Sequence, residues 1–232
     1  DASGATVKIV GSPEPVSGYA ADPAFHLDPS ASGFFETNVE NGTNFVLRAR
    51  DGSMDRQLFS YSSVRCPFLN YEAVSSSLPV LDFGAFGYYG RFMVFARPID
   101  SVRSVYAVWA PHAVNNGKNA FMFGSTDRLI NDPLGGRMID YHSGTSADPQ
   151  GRVPLFNGNG SQSHITGGEI YIDGVLTNRM FAPKAGELRL VELHHDAPAH
   201  IAAFATDRQF AISSCNGGSM FGETLIYTRV LS

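Results

Sequence analysis

The chain has 232 residues, of which 24 are glycine and 13 proline, and it contains only three lysines and eight glutamates. Because Lys and Glu fill the exposed faces of helices, this composition excludes a helical bundle. The hydrophobic fraction of 43% and the net charge of −5 exclude a disordered chain, and the absence of any basic cluster excludes a broad nucleic-acid-binding face.

Short runs of alternating apolar residues follow one another along the chain, separated by polar turns, which is typical of β-strands. The 17 phenylalanines and nine tyrosines suit such strands. The predicted strands are, in chain order, Ala24–Leu27, Asn44–Ala49, Val80–Phe83, Arg91–Phe95, Val102–Trp109, Ala120–Gly124, Glu169–Ile172, Glu187–Leu193, Ile201–Phe204 and Phe221–Tyr227. One helical turn is predicted near Ile99–Val102 or Asn38–Gly42, and no longer helix.

About ten short strands with polar turns predict an all-β fold in which two antiparallel sheets pack as a jelly-roll sandwich. We find no repeat and no linker, so residues 1–232 are predicted to form a single domain. The segment Ser125–Gly168 is rich in Gly, Asn, Asp, Ser and Pro and breaks the rhythm of short loops. Such a segment either carries function or contains short strands that its composition hides.

Two strands near the end of the chain allow a prediction of side-chain direction. Strand alternation places Ile170 and Ile172 on one face and Glu169 and Tyr171 on the other, and Asp173 with the glycine after it predicts a tight hairpin turn. In the last strand, strict alternation predicts one face made of Phe221, Glu223, Leu225 and Tyr227, opposite Gly222, Thr224 and Ile226.

Several segments carry motifs of one known family. Gly168–Gly174 (GEIYIDG) is similar to the "yvDG" hairpin of laminin-G-like, concanavalin A-like jelly-roll modules, and Asn216–Ser232 resembles their closing strand. Phe25–Ser30, Asn44–Gly52 and Leu81–Gly84 resemble their opening strands, with Arg48-Ala-Arg50 in place of the usual tryptophan. The resemblance implies a jelly roll from a secreted or surface-attached, bacterial protein.

The family hosts lectins, adhesion and glycan-binding modules and some polysaccharide-cleaving enzymes, so fold alone does not select a function. The resemblance also implies a structural calcium ion. Oxygen-rich loops that contain Asp127 and Asp132 could supply the six to eight oxygen ligands that Ca²⁺ takes. We therefore expect Ca²⁺ as the one candidate cofactor.

The sequence contains no motif with the full spacing of a known catalytic site. Glu169 and Asp173 share a strand face but lie about 13 Å apart along the strand, farther than a glycosidase pair allows. His194 and His195 point to opposite faces, so they do not share one metal. A lyase would use a His or Tyr base, either His142 with Tyr141 or His194 with Arg189.

Sugar binding requires aromatic platforms beside polar groups. Tyr88 and Tyr89 lie in a Gly-rich turn, Trp109 ends a strand, and Tyr141 with His142 lies in the long segment. Adjacent strand residues do not both face inward, which makes Tyr88 and Tyr89 the leading pair. These five residues are the predicted ligand-binding set.

We therefore predict a non-catalytic recognition module with a glycan or other cell-surface ligand, one module of a larger secreted or surface protein. The alternatives are a polysaccharide lyase or hydrolase on the same fold and a structural spacer without a ligand. No apolar run reaches 18 residues, so no membrane insertion is predicted. The chain begins without the features of a signal peptide, and we expect that any leader was removed or never formed part of this sequence. Cys66 and Cys215 form either one disulfide or two buried thiols.

Overall fold

The computed structural model describes residues 23–31, 35–40, 43–50, 57–60, 65–72, 78–85, 87, 90–112, 120–124, 139–141, 153–154, 168–177, 180–181, 186–206 and 216–231. Within these ranges the regular elements are all β-strands and no helix occurs. None of the described residues belongs to a helix long and apolar enough to cross a membrane.

The strands are named in chain order. They are β1 (Phe25–Leu27), β2 (Phe35–Glu40), β3 (Thr43–Arg50), β4 (Gln57–Ser60), β5 (Phe68–Asn70), β6 (Val80–Asp82), β7 (Met93–Pro111), β8 (Ala120–Gly124), β9 (Ile139–Tyr141), β10 (Val153–Pro154), β11 (Glu169–Ile172), β12 (Val175–Thr177), β13 (Met180–Phe181), β14 (Arg189–Phe204) and β15 (Ser219–Tyr227). The long segment Ser125–Gly168 thus contains two short strands, β9 and β10.

Thirteen of the strands form one antiparallel hydrogen-bonded network, in the order β1-β15-β6-β5-β3-β4-β7-β14-β11-β12, with β2, β8 and β9 attached at the side. Strand β15 also pairs directly with β7, so β15, β6, β5, β3, β4 and β7 form a closed ring of six strands. A closed ring leaves no free strand edge within it. The all-β class is therefore confirmed, and the closed barrel is a feature that the sequence did not predict.

Two strands, β7 and β14, are much longer than the others, and they are neighbours in the sheet. β7 has 19 residues and β14 has 16, and they pair along their length with register shifts after His194, Ala199 and Ile201. Ser101 has a φ of 60° at this irregular middle. The prediction of a helical turn at Ile99–Val102 was wrong, because these residues belong to the irregularly paired part of β7. At the alternative position, Asn38–Gly42, residues 38–40 belong to β2 and the last two lie outside the described residues.

The core is built around aromatic rings. Phe204 is fully buried, and its ring centroid lies within 6 Å of four others, those of Phe25, Phe95, Phe123 and Phe221. Edge-to-face and tilted contacts of this kind add to the free energy of burial. Cys66 is also buried, whereas Cys215 lies outside the described residues.

The hairpin of β11 and β12 confirms the sequence prediction. Ile170 and Ile172 are buried at 1% and 6% exposure, and Glu169 is exposed. Asp173 and Gly174 both have positive φ angles, 51° and 76°, as the two central residues of a type I′ turn require.

The last strand departs from strict alternation. Between Phe221 and Thr224 its register against β7 gains one residue, a β-bulge. Phe221 therefore faces the core on the same side as Thr224, and the predicted grouping of Phe221 with Glu223 was wrong. Gly222 lies at the bulge, where a Cβ atom would stand 3.0 Å from Val108 Cγ1.

Candidate functional site

Four neighbouring strands, β15, β7, β14 and β11, have one face in the core and one face outside it. On the core side, Ile170, Leu193, Val105 and Ile226 stand opposite one another across the strands, and all are buried. Because side chains alternate along a strand, the next residue of each strand points to the other side of the sheet.

The opposite side carries two rows of side chains in register. One row is Tyr171, Glu192, Tyr106 and Leu225, and the next is Glu169, His194, Ser104 and Tyr227. We call these eight residues the tyrosine face. The side chains of the two rows meet because positions two residues apart on one strand are neighbours on the same face.

His194 stands at the centre of the tyrosine face. Its ring centroid lies 5.8 Å from that of Tyr106 and 5.4 Å from that of Tyr171. Its Nε2 atom is 3.5 Å from the Tyr106 hydroxyl oxygen and 4.0 Å from Glu192 Oε2. The imidazole is thus flanked by two aromatic rings and faces a carboxylate.

Tyr171 lies beside both carboxylates of the face. Its hydroxyl donates a hydrogen bond to Glu169 Oε2 at 3.0 Å. This hydrogen bond, partial burial and the negative charges of Glu169 and Glu192 raise the pKa of Tyr171 above its ordinary value of 10.0. The hydroxyl is protonated at neutral pH, and its one proton is donated to Glu169.

One end of the tyrosine face is covered. Ser104 and Tyr227 are almost fully buried although they belong to the outer side, and the backbone N–H of Leu231 donates to Ser104 Oγ at 3.3 Å. The segment after β15 therefore lies across this end. The part open to solvent consists of Glu169, Tyr171, Glu192, His194 and Tyr106.

Farther along the same side of the sheet, Asp82 is buried at 1% exposure. Its carboxylate accepts hydrogen bonds from Asn70 Nδ2 at 2.9 Å and from the backbone N–H of Gly84 at 2.7 Å. His112 Nε2 lies 3.6 Å from the same carboxylate. Asp82 thereby ties three segments together where the Gly-rich turn begins.

Tyr88 and Tyr89, the leading predicted platform, lie outside the described residues, but the glycines on either side of them are described. Gly90 N–H donates to the Gly87 carbonyl at 2.9 Å, and Gly87 N–H donates to the Asn216 carbonyl at 3.1 Å. A Cβ atom on Gly90 would stand 2.1 Å from the Asn216 carbonyl oxygen, which no side chain tolerates. Both flanks of the pair are therefore anchored to residue 216.

Trp109 is the one predicted platform residue whose side chain the structure describes, and it is fully buried. It stands opposite Phe221 on the core side of the sheet. A buried indole has no face for a sugar, so it is not part of the site considered below. Tyr141 belongs to β9, and its side chain lies outside the described residues, as does His142.

The predicted metal ligands Asp127 and Asp132 also lie outside the described residues, so Ca²⁺ stays a prediction. In the described part of the chain, no three His, Cys, Asp or Glu side chains are grouped so as to hold a metal ion.

The predicted pairing of His194 with Arg189 does not occur. Arg189 binds Asp173 at 2.6 Å and Glu187 at 2.9 Å, at the start of β14. His194 and His195 do lie on opposite sides, as predicted, and His195 is 3% exposed.

Sequence reasoning missed Tyr106 and Glu192 as members of a site. Tyr106 lies in the apolar run SVYAVWA, which was assigned to a strand with no functional residue before its end. Alternation could have shown that Tyr106 opposes the core side of that run. Only the strand register places Tyr106 beside Glu192, and Glu192 beside Tyr171.

No protein-family model matches the chain, and comparisons with curated proteins and with solved structures found no match.

Proposed function

We propose that this protein is a non-catalytic carbohydrate-recognition module and that the open part of the tyrosine face belongs to its binding surface. The observation that carries the proposal is the arrangement of two partly exposed tyrosines around one imidazole, with two carboxylates beside them. The apolar faces of sugar rings stack on aromatic side chains, while their hydroxyls need nearby acceptors and donors.

The spacing of the rings suits a chain of sugars. Tyr171 and Tyr106 lie on strands that flank β14, with Glu192 between them in the same row. Neighbouring strands are about 4.8 Å apart, which separates the two tyrosines by roughly 9–10 Å across the sheet. Two consecutive sugar units can therefore contact both rings while their hydroxyls reach Glu192 and His194.

The proposal extends to the residues predicted from sequence. Tyr88 and Tyr89 form a second platform, held by the anchored glycines Gly87 and Gly90. Tyr141 and His142 contribute from the long segment, and Ca²⁺ is held by loops with Asp127 and Asp132. The module belongs to a larger secreted or surface protein.

For the fold, we propose a laminin-G-like jelly roll whose two sheets are joined through the long strands. The first residues of β7 pair with β4, whereas its last residues pair with β15, so β7 changes partners along its length. Strands that pass from one sheet to the other at a bend or bulge are known in packed β-sheets. The register shifts of β7 with β14 fall at such a bend.

A uronate-cleaving lyase would need a cation or amide group to neutralise the substrate carboxylate beside its base. Among the described residues, His194 is accompanied by Glu192 and Glu169 instead, and Arg189 is held by two carboxylates elsewhere. We therefore favour binding over catalysis. The binding experiment also distinguishes the two alternatives, a polysaccharide-cleaving enzyme and a structural spacer.

The test is affinity electrophoresis of the purified protein in gels that contain neutral or acidic polysaccharides, with and without a calcium chelator. We expect retardation by at least one polysaccharide, and a loss of affinity of about tenfold in Tyr171→Ala or Tyr106→Ala. Tyr71→Ala is the matched control, since Tyr71 is 45% exposed and is not one of the eight residues of the tyrosine face.

Three results would contradict the proposal. Release of reducing ends or unsaturated products from the same polysaccharides would identify an enzyme. Absence of binding to every polysaccharide would leave the spacer. Equal losses in Tyr171→Ala and Tyr71→Ala would remove the tyrosine face from the binding surface.

A further inference from the structure

We propose that the tyrosine face selects uncharged glycans and rejects those that carry carboxylate or sulfate groups on the contacted sugars. Glu169 and Glu192 are the residues that determine this specificity. The inference rests on the proposed function, because it names the class of ligand that the same surface accepts.

The two carboxylates flank the place where a sugar would stack. Glu169 stands opposite His194, and Glu192 stands opposite Tyr171 on the same pair of strands. Glu169 and Glu192 are therefore diagonal neighbours across the pair, with Cα atoms about 7–8 Å apart. A sugar on the Tyr171 ring lies within reach of both carboxylates.

Two other carboxylates on or beside these strands have basic side chains close by. Asp173 binds Arg189 at 2.6 Å, and Glu223 accepts from His26 at 2.8 Å. For Glu169 and Glu192, by contrast, the nearest basic group among the described residues is His194, 4.0 Å from Glu192. Among its eight residues, the tyrosine face thus carries two carboxylates and no arginine or lysine.

Arg103, beside Ser104 on β7, is hydrogen-bonded to the backbone and is not paired with Glu169 or Glu192. The Arg103 guanidinium donates to the backbone carbonyls of His195 and Asp196, at 3.1 and 3.2 Å. After the hydrogen bond to Glu169 and desolvation, the negative charges of Glu169 and Glu192 also help to raise the pKa of Tyr171.

The two carboxylates favour neutral sugars and disfavour anionic ones. A sugar hydroxyl donates a charge-assisted hydrogen bond to a carboxylate, which strengthens the contact. A ligand carboxylate cannot donate, and it meets two like charges at short range on a partly desolvated surface. Like-charge repulsion at these separations disfavours an anionic ligand by about tenfold at low salt, and salt screens part of it.

The experiment uses matched ligands that differ only in charge. Hydroxyethyl cellulose, xyloglucan, galactomannan and laminarin are each compared with a derivative of the same batch whose primary alcohols are oxidised to carboxylates. The dissociation constants of the purified protein for the neutral and oxidised forms are measured at low and high salt. The quantity of interest is their ratio.

We expect the protein to bind a neutral form about tenfold more tightly than its oxidised derivative, and we expect high salt to reduce that ratio. In the double variant Glu169→Gln, Glu192→Gln the ratio falls to about twofold. The matched control is Glu40→Gln, Glu72→Gln, which removes the same charge from exposed positions outside the tyrosine face and keeps the tenfold ratio.

The failures are distinguishable. If no neutral or oxidised probe binds, the proposed carbohydrate binding itself is wrong. If the oxidised forms bind as well as or better than the neutral forms, carbohydrate binding stands and the charge selection is overturned. If the double variant weakens both forms equally and the ratio is unchanged, Glu169 and Glu192 are contact residues only, which also overturns it.

Discussion

The two sides of strands β11, β14 and β7 share one backbone but carry side chains that differ in chemical type and in exposure to solvent. On the core side, Ile170, Leu193 and Val105 are at most 1% exposed. On the outer side, the adjacent residues Tyr171, Glu192 and Tyr106 are partly exposed. Because one hydrogen-bonded ladder holds both sides, the difference separates stability, which depends on the buried side, from binding, which we assign to the open side.

The outer side is itself divided. At the end near Asp82 its polar group is buried and saturated with hydrogen bonds, whereas around Tyr171 the polar groups are accessible. Position on the outer side therefore does not by itself make a residue functional. Variants on the core side and at Asp82 should therefore lose stability, whereas variants around Tyr171 should not.

Phe204→Ala should lower the free energy of unfolding by about 3–5 kcal/mol, because it removes a fully buried ring that touches four other rings. Urea unfolding measures the change. Tyr171→Ala, on the outer side, should stay within about 1 kcal/mol of the unaltered protein. Comparable losses in the two variants would contradict the separation of the two sides.

Asp82→Ala should cost about 1–3 kcal/mol, because it leaves the Asn70 amide and the Gly84 N–H without their buried acceptor. The same unfolding assay applies. Glu169→Gln is the control, since this exposed carboxylate should change stability by no more than about 0.5 kcal/mol. A small effect at Asp82 would show that the outer side is uniform.

Gly90→Ala and Gly87→Ala form a matched pair at the flanks of Tyr88 and Tyr89. A Cβ at Gly90 would meet the Asn216 carbonyl oxygen, whereas at Gly87 it would meet nothing within 4 Å. Gly90→Ala should therefore cost roughly 1–3 kcal/mol and weaken polysaccharide binding in the electrophoresis assay, while Gly87→Ala should do neither. Unchanged binding in a folded Gly90→Ala protein would remove the turn from the binding surface.

The titration of Tyr171 is the smallest effect and the most local. Its pKa is raised in the folded protein, first by the hydrogen bond to Glu169, so the protonated hydroxyl is favoured on folding. The stabilisation is complete below the ordinary tyrosine pKa and is lost as the pH rises through the raised value. In difference titrations of phenolate absorbance, Glu169→Gln should lower the pKa of this tyrosine. A midpoint that does not move would contradict the contact.

Alternation and turn chemistry predicted a good part of the fold from sequence. The strands around Ile170, Val105 and Ile226 could be located because apolar residues recur with period two. The Asp173 turn could be located because Asp-Gly tolerates two positive φ angles. The bulge at Gly222 could not, since it is defined by the pairing of β15 with the distant strand β7.

The candidate site shows the same limit. The sequence singled out His194 as a histidine and Tyr171 as an outward-facing strand residue. It did not indicate that the two side chains are neighbours. Tyr106 and Glu192 acquire meaning only as their neighbours in register. Register depends on which strands pair and where a bulge shifts them, which is long-range information absent from any local window.

The sequence by itself determined that this protein is built of β-strands, where the chain turns at Asp173, and that Ile170 and Ile172 are buried. Those properties follow from alternation, composition and the φ angles that Asp and Gly accept, all of which act over a few residues. Only the tertiary structure decided that six strands close into a ring and that two tyrosines, two glutamates and a histidine share one open surface. Both depend on strand order and register, which are fixed when distant segments bury a common core.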